Sequence, residues 1–168
     1  MIDLISFIDI STQLNNILPL VSNELQSFYA AVTSIVIPNW SCNDADYTIF
    51  DFSRFSIVES IEIGDDCFGS VKTFKIDGLN RLKTIKIGNN SFTQLKESNW
   101  NYRKANTQSK SFHILNCESL ESIQIGEYSF RDYGGDFELK NLPQLQSIQF
   151  SSYNFYNRSF VLRGIVMN

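Results

Sequence analysis

The sequence is poor in the residues that most often carry chemistry. Its 168 residues hold one histidine, three cysteines, three prolines and two tryptophans. A hydrolase needs a base, and the lone His113 sits mid-strand between Phe112 and Ile114, where it reads as one rung of a charged column. The cysteines, Cys42, Cys67 and Cys117, are odd in number and form no C-x-x-C pair. That argues against a disulfide framework or a zinc site and predicts reduced, partly buried thiols. No apolar run approaches the ~20 residues of a membrane span, since Leu14 to Leu20 already contains Asn15, Asn16 and Pro19. Positive charge is also short: 14 Lys and Arg face 18 Asp and Glu, for a net charge of −4, which disfavours a sequence-independent grip on nucleic acid. The chain opens Met1-Ile2-Asp3-Leu4, with an acid where a secretory signal carries basic residues and no A-x-A-like site after it. A cytoplasmic location is therefore expected. Neither a P-loop nor G-x-G-x-x-G occurs, so no nucleotide cofactor is expected.

With 43% hydrophobic and 19% charged residues the chain suits one ordinary folded domain. It is built on a repeat. Ile-x-Ile/Phe recurs as Ile35-Val36-Ile37, Ile61-Glu62-Ile63, Ile85-Lys86-Ile87, Ile123-Gln124-Ile125 and Ile148-Gln149-Phe150, with spacings of 26, 24, 38 and 25. The flanking columns agree. Three residues before each copy stand Val32, Val58, Leu82, Leu120 and Leu145, and seven after its first Ile come Cys42, Phe68, Phe92, Phe130 and Phe155. A second alternation lies between the copies: Phe50-Asp51-Phe52, Phe74-Lys75-Ile76, Phe112-His113-Ile114, Phe137-Glu138-Leu139 and Phe160-Val161-Leu162. Short period-2 alternation reads as strand with one buried face. Each coil therefore holds two short strands joined by turns such as Gly64-Asp65-Asp66 and Gly88-Asn89-Asn90, and two stacked parallel sheets follow.

Written out, the unit L-x-x-L-x-x-I-x-I-G-x-N-x-F resembles leucine-rich repeats. The endings Ile85-Lys86-Ile87-Gly88-Asn89-Asn90-Ser91-Phe92 and Ile123-Gln124-Ile125-Gly126-Glu127-Tyr128-Ser129-Phe130 resemble the BspA-like branch common in protist proteomes. The resemblance runs from about residue 29 to the end. It implies a mainly β leucine-rich-repeat solenoid of about five coils, with a period of about 24–25 residues and two short parallel strands per coil. The position usually held by Asn is Trp40, Asp66, Tyr128 or Tyr153 in four of the five copies, so a continuous buried Asn ladder is not expected.

Outward positions also form columns: the hydroxyls Ser34, Ser60, Thr84, Ser122 and Ser147; the charges Glu59, Lys83 and Glu121; Glu62, Lys86 and Gln124; and Asp51, Lys75, His113 and Glu138. Alternating signs keep like charges apart and fix which coil neighbours which. Residues 1–28 read as an N-terminal cap, a degenerate coil (Ile2, Ile5, Ile8, Ile10) plus helix with Ser11 and Ser22 as N-caps. Residues 29–168 form the solenoid, whose last run, Ile165-Val166-Met167-Asn168, carries no visible polar cap and suggests self-association through the C-terminal edge.

No metal site is expected: Asn43-Asp44-Ala45-Asp46 lacks the Gly and the bidentate Glu of a calcium loop. The irregular segment 93–111 is the most informative feature. Insertions in repeat proteins map to one face, often the binding face, and this one carries Trp100, Tyr102, Arg103 and Lys104, of which Trp, Tyr and Arg are types enriched in hot spots. The expectation is a non-enzymatic scaffold that binds a protein partner through this loop and through outward residues such as Glu62 and Lys86. The alternatives are a carbohydrate-binding or carbohydrate-active solenoid using Asp51, Asp65 or Asp66, and a structural or adhesive array.

Overall fold

The computed structural model describes residues 29–94 and 110–155. The expected cap over 1–28, the middle of the insertion and the alternation at Phe160-Val161-Leu162 lie outside the described residues. Within them the chain is mainly β, with β1 (Ser34–Ile37), β2 (Ile49–Asp51), β3 (Ser60–Ile63), β4 (Thr73–Asp77), β5 (Thr84–Ile87), β6 (Ser111–Leu115), β7 (Ser122–Ile125), β8 (Phe137–Lys140) and β9 (Ser147–Phe150). Odd strands form one sheet in the order β1-β3-β5-β7-β9, and even strands another in the order β2-β4-β6-β8. Every pairing is parallel, an arrangement consistent with a solenoid-like coil. Register follows the columns of the repeat: Ile35, Ile61, Ile85, Ile123 and Ile148 are successive partners, and Phe74 pairs with Phe112 across the insertion.

Two columns of phenylalanine fill the space between the sheets. Phe50, Phe74, Phe112 and Phe137 stack face to face with centroids 4.7, 4.8 and 5.0 Å apart. Phe68, Phe92, Phe130 and Phe155 do the same at 5.0, 4.6 and 5.2 Å. These distances match the spacing of parallel strands, about 4.8 Å, so the sheets impose the stacking. Between columns the rings meet edge to face, as in Phe74 with Phe92 at 87° and Phe112 with Phe130 at 86°, the geometry favoured by the ring quadrupole.

A tight turn swings the second column inward. In each coil the residues five and seven after the first Ile have positive φ: Trp40 and Cys42, Asp66 and Phe68, Asn90 and Phe92, Tyr128 and Phe130, Tyr153 and Phe155. Left-handed backbone is disfavoured for such side chains by roughly 1–2 kcal/mol each. Burying a phenylalanine offsets that cost at Phe68, Phe92, Phe130 and Phe155.

Two polar ladders run through the same turn. Asn39 Oδ1 accepts the Asp65 N–H at 2.8 Å, Asp65 Oδ1 accepts Asn89 N–H at 2.6 Å, and Asn89 Oδ1 accepts Glu127 N–H at 2.8 Å. These short side chains fold over the next coil's Gly64, Gly88 and Gly126. A Cβ on Gly126 would lie 2.6 Å from Asn89 Oδ1 and 2.6 Å from the Gly88 carbonyl carbon, which is why the unit reads Ile-Gly. Two residues further on, Ser91 Oγ donates to the Gly64 carbonyl at 2.8 Å and accepts the Cys67 N–H at 3.0 Å. Ser129 repeats this with the Gly88 carbonyl and the Ser91 N–H, and Asn154 Nδ2 donates to the Gly126 carbonyl. Cys67 Sγ takes the same place against the Pro38 carbonyl at 3.1 Å.

Candidate interaction surface

The outward face of the first sheet carries its side chains in rows set by strand register. Glu62 and Lys86, read from the sequence as partner-facing, are in-register neighbours on β3 and β5 and form an ion pair at 2.7 Å. Glu59 and Lys83 pair in the same way at 2.7 Å. The Lys83 ammonium, donating its hydrogen bond, holds the Glu59 carboxyl below its usual range, and the same bonds raise the ammonium pKa of Lys83 and Lys86. Ser34 and Ser60 hydroxyls meet at 2.8 Å. The face is thus largely self-neutralised, with both signs along each row.

On the second sheet Asp51, Lys75, His113 and Glu138 fall in one row. The ion pairing differs from simple alternation. Lys75 turns along its own strand to Asp77 at 3.1 Å, Asp51 Oδ1 accepts the Ser53 N–H, and His113 Nδ1 lies 3.6 Å from Glu138. At the far end of β4, Asn116 donates to Asp77 and Asn141 donates to Asn116. Asn116 is the first cause of the lowered Asp77 carboxyl pKa, with Lys75 adding to it.

The insertion is shorter than its sequence bounds indicate, because Lys110 is buried and Ser111 already pairs with Thr73 as the first residue of β6. Trp100, Tyr102, Arg103 and Lys104 lie outside the described residues. What is described is the base of the segment. Lys110 Nζ bonds Asp132 Oδ2 at 2.8 Å, the two residues being 7% and 4% exposed. Asp132 Oδ2 also receives the Gln94 N–H at 3.4 Å, and Lys110 Nζ sits 5.3 Å from the Tyr133 ring centroid. One carboxylate therefore touches both ends of the insertion. Sequence reading missed this cluster, since Lys110 falls inside the segment read as an insertion and Asp132 was not singled out; the signal was an isolated lysine directly before a strand.

Tyr133 closes the same cluster by donating its hydroxyl to the Val71 carbonyl at 2.9 Å. Burial, and secondly the Asp132 charge, push its pKa well above the ordinary value. A raised folded pKa means the stabilisation is complete below the unfolded value, about pH 10, and is lost as pH climbs through the folded one. Tyr133→Phe is expected to cost about 1–2 kcal/mol at pH 7 by orphaning the Val71 carbonyl. It should also flatten the loss of stability above about pH 10. Urea melts of both proteins from neutral to alkaline pH check this; parallel pH curves would show that Tyr133 is not protected.

The acids proposed for carbohydrate chemistry stand on two different elements. Asp51 stands on β2 of the second sheet, whereas Asp65 and Asp66 occupy the turn after β3, where Asp65 Oδ1 is engaged by Asn89. Among the described residues no group of three or more His, Cys, Asp or Glu is placed to hold a metal ion, and no helix is long and apolar enough to cross a membrane. Burial raises the thiol pKa of Cys67 and Cys117, and no disulfide links Cys42, Cys67 and Cys117 to one another. Trp40 and Tyr153, on the first turn, are exposed at 71% and 54%. Comparison with protein-family models, with curated proteins and with solved structures finds no match.

Proposed function

We propose that the chain is a non-enzymatic leucine-rich-repeat solenoid of the BspA-like type, serving as a scaffold for protein–protein interaction. The observation that carries this reading is the in-register stacking of both sheets. Outward side chains stand in rows whose spacing the backbone sets, so few of them must be ordered when a partner arrives. The same reading places the partner against the outward face around Glu62 and Lys86 and against the insertion bearing Trp100, Tyr102, Arg103 and Lys104.

Selection of a displayed library of protein fragments on the immobilised chain tests it. Binders with affinity in the micromolar range or tighter are expected, weakened about tenfold by Trp100→Ala or by exchanging the charges of Glu62 and Lys86. Thermal melts of both variants should match the parent. Recovery of no fragment, together with turnover or retention of oligosaccharides by the same chain, would replace the scaffold with the carbohydrate reading.

A further inference from the structure

We draw no further inference here: the strongest candidate, the buried Lys110–Asp132 side-chain cluster at the base of the insertion, belongs to the corner already described, and the segment it would position for a partner lies outside the described residues.

Discussion

Phe92→Ala is expected to lower the stability of the chain by about 3–5 kcal/mol. For a protein of this length that corresponds to a melting temperature lower by on the order of 10 °C. Phe92 is fully buried, and its ring stacks on Phe68 and Phe130 while meeting Phe50 and Phe74 edge to face. Truncation removes all four contacts and leaves a void that strand spacing prevents from closing. The site also matters because a stacked repeat is held by nearest-neighbour interfaces, and Phe92 belongs to the middle coil. The half-buried Phe137, in the last strand of the second sheet, should cost less on the same change. Calorimetry on both variants tests the argument; equal losses at Phe92 and Phe137 would mean that position along the stack does not matter.

The second large effect belongs to Lys110. Lys110→Met is expected to cost about 3–5 kcal/mol, because a buried carboxylate that loses its one counter-ion among the described residues keeps its desolvation penalty. Among the described residues Asp132 would retain just the long Gln94 N–H, and its Oδ1 already lacks a hydrogen-bond partner there. The double variant Lys110→Met with Asp132→Leu should recover most of the loss, since apolar replacements of similar volume are often neutral. Urea titration of the single and double variants separates a buried charge from simple loss of packing. A double variant no better than the single would show that the ion pair is not what holds this corner.

The strands were legible because burial alternates with period 2 and the columns repeat. Ile-x-Ile and Phe-x-Ile fall inside the observed strands, and the phase kept through the insertion became the Phe74–Phe112 pairing. The row Asp51, Lys75, His113, Glu138 was legible for the same reason, although the direction of its ion pairs was not, since a lysine can reach along its own strand as readily as across. The amide ladder was sought one residue too late. Asn39, Asp65 and Asn89 stand in one column of the repeat that was not singled out, and their task depends on the turn aiming each oxygen at the next N–H, which no single-residue pattern states. The Lys110–Asp132–Tyr133 cluster stayed hidden because its members belong to different coils and to the one irregular segment. The partner-binding candidates Trp100, Tyr102, Arg103 and Lys104 lie outside the described residues, while Glu62 and Lys86 were brought together as an ion pair.

The two polar ladders point in opposite senses. The Asn/Asp oxygens of one coil receive N–H groups from the coil after it, whereas the Ser91 and Ser129 hydroxyls receive N–H groups from the coil before. A coil therefore presents matching upper and lower connectors, both confined to the stretch from Ile-x-Ile to the first inward Phe. Beyond that stretch its length is unconstrained by the ladders, and the gap from Ile85 to Phe112 is 27 residues where Ile61 to Phe74 is 13. Such a chain can grow by duplicating whole coils, and acquire new loops within one, without any neighbouring coil having to change its sequence.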